Sequence, residues 1–554
     1  MIATAIRSDG SVSATAGEGP VSHARGCIML ATIAMLFLGI AGQLARLSLV
    51  SQGEMRIAMA EPIGRVFSRP DIVDRRGRLV ATDVGTPSLY VDPALVLDRD
   101  EVVEKLIAVL PDLDMSDLRR LLDDRSRRFA WVKRGLTPVQ AQRVHDLGLP
   151  GLAFRREPKR VYPAGTLVGH LVGQVNIDNK GLSGLERHID ETMGVEVVLA
   201  ATQSRIATVK LSLDLGVQHA MALELREAQA RYQASGAAGL VMDVATGELI
   251  AAVSLPEVDA NRPAELLAVD RLDRLSASVF ELGSIFKTLT VAMLLEEGVA
   301  TLDKVYDVRQ PLQIGAHTIT DLHPQSRPLS VRDIFLHSSN VGAGLMALEA
   351  GSARQIGFLS RLGLLAPTRT EAGPVSAPLL PKRWGEIETV TIAYGHGLAV
   401  APIQFAAAVA GLVNGGTQVV PTFLARANAG PSPERLVSPK TSALMREILR
   451  LNVTASFGTG RRAEVAGYRV GGKTGTAEMP GKGGYRSKAV ISSFIGALPM
   501  DSPRYVTFVA LFEPQATDET KGQITAGLNA APVTGLLIAR IAPLLDVLPE
   551  RLEK

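Results

Sequence analysis

The sequence predicts an α+β protein whose antiparallel sheet is interrupted by a long helical insertion and covered by helices. Three observations carry this reading. "AAGLVMDVATGELIAAVSLP" (237–256) is two apolar runs joined by "ATGE", a hairpin with Gly247 in its turn. "YRVGGKTGTAEM" (468–479), "AVISSFIGALP" (489–499) and "RYVTFVALFEP" (504–514) are further strands, and the stretch between, about 280–460, is mostly helical.

Taken from the N-terminus, residues 1–25 are rich in Ser, Ala and Gly and poor in large apolar side chains, so they are expected to form a disordered tail, which the family resemblance described below would place in the cytoplasm. The run "GCIMLATIAMLFLGIAGQLA", Gly26 to Ala45, carries no charge over about 20 residues, the length that spans a bilayer core. One transmembrane anchor over 26–47 is therefore expected. A cleaved signal peptide is the competing reading, because Gly39 and Ala41 are small residues placed for cleavage, but the length of the run favours retention. Arg7 and Arg25 precede the run while Arg46, Arg56 and Arg65 follow it, so charge alone leaves the orientation open.

Residues 60–208 are broken by Pro, Gly and Asp into short pieces, which fits a separate α+β region rather than a helix bundle. Its basic clusters, "DRRGR" (74–78) and "RREPKR" (155–160), read as solvated faces. Lys plus Arg total 59 against 56 for Asp plus Glu, a net charge of +3, which is no nucleic-acid footprint. The single cysteine, Cys27, excludes an intramolecular disulfide, and the histidines show no paired metal spacing. His337 and His396 read as structural. A last domain, 209–545, opens on a helix with Asp214 as its N-cap.

Within that domain, "FELGSIFK" places Ser284 at the mouth of a helix with Lys287 three residues on, one turn along the same face. An isolated serine there is usually just a cap. A serine hydroxyl is a poor nucleophile until a base takes its proton, however, and a desolvated lysine beside other positive charge can be that base. "HSSNVG" supplies Ser338, which can relay a proton, and Asn340, which can orient a lysine or a substrate amide. "KTGT" supplies the positive charge of Lys473, the hydroxyls of Thr474 and Thr476 for a carboxylate, and Gly475 for close approach to a ligand.

The order S-x-x-K, S-x-N, K-T-G is the signature of penicillin-binding proteins and serine β-lactamases. With "RWGEIETVTIAYGHGLAVAPIQFAAAVAGLVNGG" (383–416), the chain resembles the transpeptidase domain of class B penicillin-binding proteins. "DIVDRRGRLVAT" (71–82), "RVYPAGTLVGHLVGQVN" (160–176) and "GLSGLERHID" (181–190) resemble the elongated dimerisation-type pedestal that precedes it, and the best match is the division-specific FtsI type. The resemblance implies a single-pass inner-membrane protein with its body in the periplasm, cross-linking septal peptidoglycan through an acyl-enzyme on D-Ala-D-Ala. It implies Ser284 as nucleophile, Lys287 as base, Ser338 in proton transfer, an oxyanion held by the backbone N–H groups of Ser284 and Thr476, and Thr474 and Thr476 on the terminal carboxylate. It also implies β-lactams as covalent inhibitors, and a SEDS-family glycan polymerase and bitopic division proteins as partners, with no metal or organic cofactor. The family commonly has proline where this chain has Leu282, and Arg-Gly where it reads Arg69-Pro70; neither change removes a reactive group. An elongation-specific transpeptidase, a hydrolase of the carboxypeptidase or β-lactamase kind, and a division scaffold with secondary catalysis remain as alternatives.

Overall fold

The computed structural model describes residues 27–43, 69–192, 208–426, 434–481 and 484–550. It comprises two compact units, Met1–Phe67 and Ser68–Lys554. In the first, residues 27–43 form a helix whose large apolar side chains are exposed, Phe37 at 68% and Leu38 at 71%. Among the described residues no helix is long and apolar enough to cross a membrane. The tail expected over 1–25 and both ends of the expected anchor lie outside the described residues.

The second unit begins with a five-stranded sheet. Its long strand Leu79–Val91 pairs antiparallel with Leu152–Val161 from Thr82↔Val161 to Val91↔Leu152. Leu89 and Val91 from that strand pack with Val103, Leu106 and Leu122 of the flanking helices. At the other end of the strand pair Arg160 is buried, bonded to Glu186 at 2.6 Å and Asp83 at 3.2 Å, and Arg69 reaches the same Glu186 at 2.8 Å.

The reading of the two basic clusters as solvated faces is therefore corrected in part. Arg160 is enclosed, and Arg76 and Arg78 both bond the carboxylate of Asp214, while Arg155 and Arg156 do stay exposed. Asp74 within the first cluster also bonds Arg78, but Glu186 and Asp214 lie 26 to 138 residues from the arginines they neutralise, beyond what a local charge count can see.

Beyond that sheet the unit has three small two-stranded sheets and one five-stranded antiparallel sheet. β1 (Gly236–Asp243) and β2 (Leu249–Leu255) make the hairpin, and β3 (Gly471–Gly481), β4 (Gly484–Leu498) and β5 (Tyr505–Phe512) add to it in the order β3-β4-β5-β1-β2. Side chains alternate between the faces of a strand, so each strand feeds two cores. Val241 and Val509 pack beneath α1 (Leu215–Arg231), which Asp214 caps as expected, while Leu240, Met242 and Phe508 face the helical insertion. Within the insertion, α2 (Lys287–Glu296), α3 (Val331–His337), α4 (Asn340–Ala350), α5 (Pro402–Val413) and α6 (Pro439–Thr454) share that second core, and α7 (Ala530–Ile541) joins α1 on the first face. The insertion returns the chain to β3, the free edge of the sheet, and brings the turn that precedes α2, together with α6, against it.

Candidate active site

Residues Gly283–Phe286 form one 3-10 turn that runs directly into α2, so Lys287 is the first α-helical residue. The Ser284 side chain makes no capping bond; its Oγ lies 3.0 Å from Lys287 Nζ. That removes the ordinary-cap reading. Gly283 has φ +59°, a region that L side chains avoid, and a Cβ there would lie 2.6 Å from the Thr476 carbonyl oxygen. The turn is fully packed without the family's proline: Leu282 is buried, and the Gly283 N–H donates to Gly395 O at 3.2 Å.

α3 ends at Ser338, which adopts the left-handed conformation at φ 61° and ψ 40°. A non-glycine residue held there costs roughly 1–2 kcal/mol and needs its surroundings to fix it. Asp321 does so. One of its oxygens accepts from the Asn340 and Val341 backbone N–H groups and the other from Ser339 Oγ at 2.6 Å, while Ser339 caps α4. The loop so held turns Ser338 Oγ and Asn340 Oδ1 to Lys287 Nζ, at 3.2 and 2.7 Å.

β3 brings the third element. Lys473 is fully buried, with Nζ 3.0 Å from Ser338 Oγ, 3.1 Å from Thr474 O and 3.4 Å from Thr459 Oγ1. Thr474 and Thr476 line a cleft of about 650 Å³ together with Ser284, Ser338 and Asn340. Gly475 points the other way. A Cβ there would lie 2.5 Å from Leu282 O and 2.8 Å from Ser493 Oγ, so the close approach this glycine permits is to the turn that carries Ser284, and not to a ligand as its sequence context suggests. The carbonyls of Gly472 and Thr474 accept from Asn452 Nδ2 at 2.8 Å and from Lys473 Nζ, so these residues turn their backbone polar groups to the free edge of the sheet. Thr476 follows in the same alternation.

The electrostatics follow from burial. Enclosure, and next the charge of Lys473, hold Lys287 well below the ordinary lysine range, against a smaller opposing pull from Asp321. Burial brings Lys473 down to about 7. A neutral amine has two N–H donors and one lone pair. Around Lys287 Nζ, Ser338 O at 2.6 Å and Asn340 Oδ1 are acceptors only, so they take the two N–H groups. The lone pair is left for a hydroxyl proton, and Ser284 Oγ is the nearer hydroxyl.

All eight residues singled out in the sequence thus meet at one place, with Gly475 behind the cleft wall. Sequence reasoning missed Asp321, Asn452, Thr459, Arg461 and Arg462. The last three sit in "FGTGRRA", a glycine-rich turn that could have been flagged; Asp321 and Asn452 carry no local signal. His337 stacks on Phe457 at the cleft wall, with ring centroids 4.8 Å apart, and His396 Nδ1 lies 3.2 Å from Glu281.

The chain is similar to known proteins. The penicillin binding protein transpeptidase domain matches residues 237–530, and the penicillin-binding protein dimerisation domain matches residues 66–195. The chain is 38% identical over 489 residues to the probable peptidoglycan D,D-transpeptidase FtsI of Caulobacter vibrioides, covering 87% of this chain and 82% of that one. It is 29% identical over 558 residues to the peptidoglycan D,D-transpeptidase FtsI of Escherichia coli strain K12, covering 95% and 92%. A peptidoglycan synthetase structure from Bifidobacterium adolescentis shares the fold at a TM-score of 0.67 and 22% identity, covering 88% of this chain and 97% of that one. With both domains matched and its serine, lysines and threonines gathered at one sheet edge, the chain belongs to the class B penicillin-binding proteins, in their FtsI-type branch.

Proposed function

We propose that the chain cross-links septal peptidoglycan as a serine D,D-transpeptidase, and that its chemistry runs through Ser284 with Lys287 as the base. The observation that carries this reading is the Lys287 amine, whose two N–H groups are claimed by carbonyl oxygens so that its lone pair faces a hydroxyl. The Ser284 hydroxyl adds to the carbonyl of the D-Ala–D-Ala amide, its proton passing to Lys287 Nζ while the carbonyl oxygen becomes an oxyanion. The Thr476 N–H at the sheet edge and the Ser284 N–H in its turn are the donors for that oxyanion. Collapse breaks the C–N bond, a proton moves through Ser338 to the departing nitrogen, and D-alanine leaves. An amine of a second stem peptide then attacks the ester and gives up a proton to Lys287. The ester C–O bond breaks and Ser284 regains its hydrogen. Thr474 and Thr476 hold the terminal carboxylate, and Lys473 and Asn340 keep Ser338 and Lys287 in place.

The exposed apolar helix of 27–43, within an uncharged run from Gly26 to Ala45, supports a single-pass inner-membrane anchor with domains 60–208 and 209–545 in the periplasm. A SEDS-family polymerase and bitopic division proteins are the partners this placement calls for. Incubation of the purified body with a fluorescent penicillin is expected to place one label per chain on Ser284. A folded protein that takes up no label overturns the proposal. A tagged copy should gather at midcell, and a sidewall pattern would assign the elongation role instead.

A further inference from the structure

From the wall of the cleft we infer that Arg461 and Arg462 read a second carboxylate on the substrate, beyond the terminal one, and so select acidic stem peptides. The inference rests on the transpeptidase reading and extends it to the substrate's charge. Both arginines are exposed and line the cleft that holds Ser284, Thr474 and Thr476. Among the described residues neither side chain has a hydrogen bond or ion pair. The acid beside them in sequence, Glu464, is taken by Arg450. Asp321, the only carboxylate lining the cleft among the described residues, already accepts from three donors of the α3–α4 loop. The two guanidinium charges therefore face the cleft without an answering charge among the described residues.

Their placement is fixed by the same parts that fix the reacting groups. Asn452, fully buried on α6, donates to Gly472 O on β3 and accepts from the Thr459 N–H at 3.2 Å, and its own carbonyl takes the Gly460 N–H at 3.2 Å. Thr459 Oγ1 in turn meets Lys473 Nζ. A Cβ at Gly458 would lie 2.2 Å from Asn452 O, so the turn seats itself on α6 only with glycine there. The pair is thus carried on a turn tied to the K-T-G strand and not on a free loop. A guanidinium offers planar, charge-assisted donors suited to carboxylates. The hydroxyls of Thr474 and Thr476 already serve the terminal carboxylate, so the arginines are left for another.

That carboxylate belongs either to the acyl donor or to the acceptor amine, and one experiment separates the two. Synthetic acyl-D-Ala-D-Ala donors that differ only in one acyl-chain carboxylate or carboxamide are compared for acylation. Acceptor amines differing in the same way are compared for aminolysis of a preformed acyl-enzyme. In one of the two arms the wild type is expected to prefer the carboxylate about 10–100-fold in kcat/KM, the scale of a hydrogen bond to a charged group. The preference should shrink with added salt, fall towards unity in an Arg461→Gln, Arg462→Gln double variant, and persist in part when both are lysine. Equal rates in both arms, or a preference that survives the double glutamine variant, overturn the inference while penicillin labelling leaves the transpeptidase reading standing. A folded wild type that neither takes the label nor turns over any donor overturns both.

Discussion

Two buried lysines whose amines share the Ser338 hydroxyl set the behaviour of this site. Lys473 is among the causes that hold Lys287 down, so its removal should raise the Lys287 pKa. In a Lys473→Met variant the base then stays protonated to a higher pH, and the acid limb of the acylation rate moves alkaline. A pH profile of penicillin acylation checks this, and an unmoved limb would mean that the two amines do not interact. Lys287→Met removes the proposed base and is expected to cost about 10²–10⁴-fold in acylation rate. The same burial works against stability. For Lys473 the folded pKa of about 7 lies below the ordinary lysine value of 10.5, so between those limits the unfolded chain binds more protons and stability rises with pH. Either methionine should therefore raise the melting temperature, by about 0.5–2 kcal/mol of stability, while lowering activity. A variant that loses both would show that the lysines hold the fold together, which their depressed pKa values argue against.

At the scale of elements, the reactive groups are placed by three contacts between segments that are remote in sequence: the nucleophile turn on β3, the Asp321 clamp on the α3–α4 loop, and the Asn452 clamp on β3. Gly475→Ala forces a Cβ to within 2.5 Å of Leu282 O and must spread the turn from the strand. A misplacement of about 1 Å can cost about 10²-fold, so slow acylation by a folded Gly475→Ala protein is the expected outcome. Normal acylation would show that the turn and strand need not touch. The strands and α1 were legible because their patterning is local: continuous apolar runs, a glycine turn, an aspartate before a helical stripe. The residues of the candidate site were legible because each motif keeps its members within a few positions. What the sequence could not show is the support. Asp321 and Asn452 work on groups 19 and 20 residues away and read as ordinary loop and helix polars. The 3-10 geometry at Ser284 was hidden too, because the same S-x-x-K spacing suits a capped α-helix.

For the second unit as a whole, a cluster of four charges ties the leading sheet to the catalytic domain. Arg76 and Arg78 bond Asp214 at the start of α1, Asp74 bonds Arg78, and the Leu215 N–H donates to Asp74 at 3.0 Å. Asp214 therefore serves twice, as N-cap of the helix that covers the sheet and as the acid that joins the two regions. Burial alone would raise its pKa, but the hydrogen bonds from Arg78, the Gly216 N–H and Arg76 outweigh it and leave the carboxyl below 3.8. Asp74 is lowered in the same way, its burial outweighed by the Leu215 N–H and Arg78. With folded values below the unfolded one, both carboxylates stabilise the body above pH 3.8 and cease to do so as pH falls through their folded values. The guanidiniums are 44–50% exposed, so water screens the attraction and the charge contribution of Asp214 is nearer 1 kcal/mol than a buried pair's. Asp214→Asn keeps a capping side chain and should lose about that much at pH 7. Asp214→Ala also gives up the cap, for about 1 kcal/mol more. The decisive measurement is the melting temperature of wild type and Asp214→Asn against pH. The gap between them should be full at pH 7 and close in acid once the wild-type carboxylate is protonated, whereas a gap that stays constant would assign the effect to packing at the α1 terminus and leave the junction without an electrostatic tie.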